Sequence, residues 1–252
     1  MRKIKKFAVV LLTIVCAMSA FVWWQDTHKK AAEEEAYAQL REAVGSGEFA
    51  ATETVSSPET TAAEETTEEA AGETYEAPAG LKELMSGNDS VIGWLTIADT
   101  KVDYPICQDK TDNEFFLHRD MNGKKSSSGS IYLDSNHDID VAGLHVVYGH
   151  NMKNGSMFKT VSRFVNADYM RSHQTITVWT GEREIRLKPV ACYAGPADGG
   201  YRSVISSADE LHKFIKDRCG AEIASDNVFV FITCSYGQED ERTYLICEEE
   251  AF

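Results

Sequence analysis

The chain has 252 residues, 43% of them hydrophobic, and a formal net charge of −15, which allows one sizeable core in one or two domains. The charge is unevenly spread: residues 1–24 carry +4, residues 25–80 set 3 basic against 14 acidic side chains, and residues 81–252 carry −8. No basic block follows MRKIKK at the start, and phosphate binding needs clustered Lys and Arg, so a nucleic-acid partner is excluded.

After MRKIKK comes an uncharged run, FAVVLLTIVCAMSAFVWW, from Phe7 to Trp24. At ~1.5 Å per helical residue it nearly spans a ~30 Å hydrocarbon layer. Arg2, Lys3, Lys5 and Lys6 suit the cytoplasmic side, and Trp23 and Trp24 suit the far interface. Residues 1–24 are therefore expected to be a single-pass membrane anchor, with the remainder extracytoplasmic. A cleaved signal peptide, with Ala17 and Ser19 at the cleavage site, is the alternative reading. A lipoprotein signal at Cys16 fits less well, because Val15 is bulky. Export is common to all three.

Residues 25–80 form the acidic second segment. Its first part, residues 26–44, has helix-favouring composition but no wide apolar stripe, which predicts a solvated juxtamembrane helix. From Gly45 to Pro78 the chain is Glu, Thr, Ala and Ser with almost no aliphatic bulk. Such a stretch buries too little surface to offset its ordering entropy, so a disordered, self-repelling tether is expected.

Residues 81–252 have the composition of a folded domain. LKELM opens it as a short helix. Strand patterns follow at Val91–Ile97, Lys101–Ile106, Gly129–Leu133, Leu144–Tyr148, Gln174–Thr180, Glu184–Tyr193, Val228–Cys234 and Thr243–Glu248. Eight short strands in one domain predict a mainly β fold, closed or nearly closed. Between the sixth and seventh strands, Ser207-Ala208-Asp209-Glu210 has capping-box form ahead of Leu211, Phe214 and Ile215, and Gly220 ends the helix. Thr111-Asp112-Asn113-Glu114 has the same form and predicts a second, shorter helix over Phe115, Phe116 and Leu117.

Six cysteines in an exported chain raise the question of disulfides, but their spacings make no dense framework and no Cys-x-x-Cys pair. Cys16 lies in the membrane run. Cys107, Cys192, Cys219 and Cys247 sit among apolar residues and read as buried free thiols. Cys234 differs, because it closes the VFVFITC strand. The polar loop SYGQEDE follows, and Arg242 opens the next strand pattern. Antiparallel pairing would bring Cys234 and Arg242 together at the ~4.8 Å inter-strand spacing. A guanidinium beside a thiol favours thiolate and can meet an oxyanion. The pair alone reads equally well as a structural Cys and a surface Arg countering Glu239, Asp240 and Glu241. A third member is needed, and His150 is the best placed, where the LHVVY strand runs into Gly149 and a turn. His28, His118, His137, His145, His173 and His212 lie by the membrane, in loops, in mid-strand or on the capped helix. Metal binding by His137, His145 and His150 is disfavoured, since no pair has helical i, i+4 metal spacing and no Cys pair joins them.

The order YGHNM, then a Thr-Cys strand end, then Arg opening the next strand resembles the sortase family, specifically its class B. The similarity covers about residues 81–252 and includes WLTI, VDYPI with Pro105, and GSIYLD. The helical lead and the helix before the Cys strand point to class B. The resemblance implies an eight-stranded sortase-like β-barrel, no cofactor, and a triad of Cys234 as nucleophile, His150 as general acid/base and Arg242 as oxyanion stabiliser. It implies cleavage of a C-terminal sorting motif of exported proteins at a Thr carbonyl, through a thioester, with transfer to a peptidoglycan amine. Tyr148 and Asn151, which flank the His, and Thr233 are auxiliary positions. One departure is that the family's Cys strand commonly reads Thr-Leu-x-Thr-Cys, whereas here it is Val230-Phe231-Ile232-Thr233-Cys234. The order His, Cys, Arg separates the chain from papain-like peptidases, in which Cys precedes His. An extracytoplasmic cysteine peptidase and a catalytically idle surface-binding module are the alternative functions.

Overall fold

The structure is a computed structural model that describes residues 2–45, 75–235, 237–238 and 240–251, with side chains in the first helix from Leu11 onward. The tether expected over Gly45–Pro78 lies almost wholly outside these residues. Eight strands close into one barrel: β1 (Val91–Ile97), β2 (Asp103–Cys107), β3 (Ile131–Leu133), β4 (Leu144–Tyr148), β5 (Ile176–Trp179), β6 (Glu184–Pro196), β7 (Val228–Cys234) and β8 (Glu241–Glu249). Their order around the barrel is β1-β2-β3-β4-β7-β8-β6-β5. The pairs β2/β3 and β4/β7 are parallel; the other neighbours are antiparallel. Closure leaves no free edge along the sheet.

Alternation along β7 sends its side chains to two different cores. Phe229 and Phe231 point into the barrel, where they pack with Leu95, Val147, Phe158 and Leu245. Val228, Val230 and Ile232 point outward and are covered by Leu211 and Ile215 of the helix between β6 and β7, α4 (Ala208–Cys219). Both faces of β7 are thus buried, and each Val, Leu, Ile or Phe so buried contributes about 1.5–3 kcal/mol before entropy is counted. The capping signals at α4 operate as the sequence implies. Ser207 Oγ accepts from Glu210 N at 3.3 Å, and Gly220 ends the helix at φ 72°, a left-handed conformation that costs glycine nothing. The Glu210 carboxylate reaches back to Ser206 N.

Two local expectations change. The chain from Thr111 does not make a capped α-helix; it forms a single 3-10 turn, Phe115–His118, whose N-cap Glu114 has no side-chain cap. The polar side chains upstream are spent on turns instead: Asp109 Oδ1 accepts from Thr111 N and Asp112 N, and Asp112 Oδ1 from Glu114 N. The second change concerns the N-terminal helix, α1 (Arg2–Gly45), which is continuous and does not stay in solvent along its whole length. Its last turns dock on the barrel through Tyr37, Leu40 and Val44, spaced i, i+3 and i+7. Tyr37 stacks edge-on against Tyr104 at 5.2 Å, and Arg41 Nε donates to Asp103 O at 2.9 Å. Val44 packs with Leu81 of α2 (Ala79–Gly87), Trp94 and Trp179. One narrow stripe suffices here because a single barrel flank, not a surrounding core, covers it. A further short helix, α3 (Ala167–Ser172), precedes β5.

Among the described residues no helix is long and apolar enough to cross a membrane. Phe7 to Val10, the start of the apolar run, lie outside the described side chains; the rest of the run, including Leu12, Val15, Phe21 and Trp23, is exposed on α1.

Candidate active site

The β7–β8 hairpin sets Cys234, the last residue of β7, directly opposite Arg242 near the start of β8. Beside β7, the parallel strand β4 ends at Tyr148, and Gly149 and His150 carry the chain past it. Gly149 passes where no side chain fits: a Cβ there would lie 2.5 Å from Ile131 Cδ1 and 2.7 Å from the Phe158 ring. His150, Cys234 and Arg242 line one cavity of about 360 Å³ at this end of the barrel, together with Tyr148 and Thr233.

His150 is half-buried, and its Nε2 lies 2.7 Å from the carbonyl oxygen of Leu117, in the 3-10 turn. A carbonyl only accepts, so Nε2 carries the proton, and Nδ1 is the ring nitrogen available for exchange in the neutral tautomer. The His118 ring stacks on it at 5.6 Å. Burial, reinforced by the neighbouring His118, holds the imidazole below the usual histidine range, while the Leu117 carbonyl opposes the shift.

Arg242 makes no ion pair among the described residues; its Nη1 donates to Glu241 O at 3.1 Å. The Glu241 carboxylate is taken up inside the loop by the Ser235 hydroxyl and by Gly237 N. Asp240 and Glu241 therefore leave the guanidinium unneutralised, which removes part of the surface-charge reading of the Cys-Arg pair. Glu239 lies outside the described residues.

Cys234 is the partly exposed thiol of this rim, and none of the six cysteines forms a disulfide. The others that face the fold are held protonated by burial: Cys107 and Cys192 are pushed up to about 12, Cys247 well above the usual value, and Cys219 upward. Of the auxiliary positions, Asn151 is buried and its Nδ2 donates to Cys234 O at 2.7 Å. Tyr148 donates to Asp134 Oδ2 at 2.9 Å. Thr233 is 2% exposed, and its hydroxyl has no partner among the described residues.

Four contributors are not marked as site residues by any local pattern. Asp134 is fully buried beneath the cavity and accepts from Tyr148, from Arg202 Nε at 3.1 Å and from Asn136 N at 3.0 Å. Arg202, from the β6–β7 connection, is found only by tertiary contact. Leu117 acts through its backbone, which no side-chain pattern reports. His118 stands in a polar loop in the sequence, yet its ring lies on His150.

Among the described residues no group of three His, Cys, Asp or Glu side chains could hold a metal ion. His137 Nδ1 accepts from Val146 N at 3.2 Å, and His145 Nε2 pairs with Asn227 Oδ1 at 2.6 Å, so both rings are engaged by the protein.

The fold is the eight-stranded barrel of the sortase B structures. The Clostridium perfringens sortase B structure superposes with a TM-score of 0.62 at 26% identity, over 68% of this chain and 99% of that one. The structure of sortase B from Listeria monocytogenes gives 0.57 at 28% identity, over 68% and 99%. In sequence, the curated sortase B of Listeria monocytogenes is 35% identical over 122 residues, which span 48% of this chain and 49% of that relative. No family model matches the chain. In fold the chain is similar to the class B sortase structures, and in sequence it spans about half the length of the curated sortase B of Listeria monocytogenes.

Proposed function

We propose that the chain is an extracytoplasmic cysteine transpeptidase, with Cys234 as nucleophile, His150 as general acid and base, and Arg242 as oxyanion stabiliser. The observation that carries this reading is the Cys234–Arg242 register across the β7–β8 hairpin, with His150 lining the same cavity. The Cys234 thiolate attacks the carbonyl carbon of a Thr within a sorting motif of an exported protein, and the carbonyl electron pair moves onto oxygen facing Arg242. As the tetrahedral intermediate collapses, the C–N bond breaks, His150 gives its proton to the departing amine, and a thioester remains on Cys234. An incoming amine, on this reading from peptidoglycan, then attacks the thioester and passes a proton to His150. The new amide leaves and the thiolate is restored.

The proton moves through His150 Nδ1, because Nε2–H is engaged by Leu117 O. Burial favours the neutral imidazole of His150. The exposed apolar side chains of residues 11–24 support membrane attachment through Phe7–Trp24, with the barrel, residues 81–252, held outside.

The test uses the full chain in detergent, because α1 packs on the barrel. It is incubated with a panel of quenched sorting-motif peptides, with and without an amine. Amine-dependent product from wild type, absent in Cys234→Ala, is expected, along with a thioester on Cys234 by mass spectrometry. Cleavage without amine transfer would point to a peptidase. Absence of cleavage and thioester with every peptide would leave a surface-binding module.

A further inference from the structure

The β4–β7 ladder can be followed into the site. Its last backbone rung joins Gly149 N to Ile232 O at 3.2 Å. In a parallel pair the same donor and acceptor relation repeats every second residue, so the next rung would join Asn151 N to Cys234 O. The chain turns away at that point: Asn151 forms an antiparallel bridge to Met157, and His150 O accepts from Phe158 N at 2.9 Å. Cys234 O accepts instead from the side chain, Asn151 Nδ2, at 2.7 Å. An amide on a side chain supplies the contact that the departing backbone no longer makes.

This rung sits at a critical place. His150 lies between Gly149 and Asn151, and both of these neighbours are tied to β7. The acceptor of the second tie belongs to the nucleophile residue itself. Asn151 is 4% exposed, so water does not compete strongly for the bond. It adds to the Gly149 rung a second hydrogen bond between the turn carrying His150 and the end of β7, beside the packing of Phe158 on Phe231. Proton transfer demands heavy-atom separations of about 2.6–3.2 Å, and a misplacement of ~1 Å costs on the order of a hundredfold in rate.

We propose that Asn151 is a positioning residue whose side-chain amide replaces the final rung of the β4–β7 ladder and so fixes His150 relative to Cys234. The proposal rests on the acyl-transfer reading of this site. Asparagine suits the task because its amide donates while its length spans the gap left by the backbone. Aspartate keeps the shape but presents an acceptor to the Cys234 carbonyl, and alanine leaves that carbonyl without its partner.

The test compares Asn151→Asp and Asn151→Ala with wild type as full chains in detergent. With the quenched peptide that wild type cleaves fastest, kcat is expected to fall about tenfold or more in both variants, with KM within about twofold. Thermal midpoints should move by only a few degrees. A second readout needs no substrate. In ¹⁵N-histidine spectra, with His150 assigned through its loss in His150→Gln, Cys234→Ala is expected to displace the His150 ring resonances. In the Asn151→Asp background that displacement should shrink or vanish. Retention of kcat within about twofold in both variants, or an undiminished displacement, would overturn the proposal. If Asn151→Ala does not fold, Asn151→Asp decides alone. If wild type cleaves no peptide, the acyl-transfer reading fails, while the spectra still decide whether Asn151 sets the His150–Cys234 geometry.

Discussion

Strands β4, β7 and β8 carry a histidine and a cysteine at two levels of the barrel, and the two levels behave differently. In the wall, His145, Phe229 and Cys247 stand in one row of the register. His145 is 1% exposed with its ring 4.4 Å from that of Phe229, and Cys247 is fully buried. Burial pushes His145 down to about 4 and the Cys247 thiol well up, so each is held in its neutral form. At the rim, His150 and Cys234 are only partly buried and share a cavity with Arg242. The difference teaches that residue type alone does not make a site. A strand interior surrounds its side chains with ladder and core, whereas a strand end opens them to space, to a substrate and to a fixed charge.

The largest expected effect that sharpens this contrast is at the rim charge. Arg242→Lys should lower kcat about a hundredfold or more while circular dichroism reports an intact barrel, because Lys lacks the planar fork of donors. Near-full activity would break the claim that a fixed guanidinium distinguishes the rim. Next comes the wall histidine. The folded pKa of His145, about 4, lies below an unfolded value of ~6.5, so the folded state excludes a proton that the unfolded chain accepts. Stability is complete above the unfolded pKa and falls as pH drops from ~6.5 toward 4, by up to about 3 kcal/mol from this residue. His145→Gln should flatten that slope in urea unfolding across pH 7 to 4.5; an unchanged slope would remove His145 from the account. The smallest effect concerns the wall thiol. Cys247→Ala should cost about 1–2 kcal/mol of stability and leave acyl transfer at the wild-type rate. A loss of transfer without loss of stability would give the wall a chemical role and dissolve the comparison.

Much of this arrangement is legible in the sequence. Period-two alternation and turn residues mark all eight strands, with β1, β4 and β7 at their observed bounds, and Ser207 and Gly220 delimit α4. Cys234 and Arg242 are recognisable as neighbours because a hairpin with a short polar loop has few registers available. Legibility ends where contacts join distant segments. The 3-10 turn that presents Leu117 O to His150 replaces a helix that the Thr111 capping pattern implies, because Asp109 and Asp112 satisfy local backbone donors first.

The sequence by itself determined which strands exist, which of their faces are apolar, and that Cys234, Arg242 and His150 stand at strand ends, since these follow from local periodicity and turn chemistry. Only the tertiary structure decided that α1 docks through Tyr37, Leu40 and Val44, that Asp134 lies under the cavity bound by Tyr148 and Arg202, and that Asn151 reaches the carbonyl of Cys234. Those contacts depend on barrel closure, which brings together residues tens of positions apart, and on burial, which makes a single hydrogen bond costly to leave unmade.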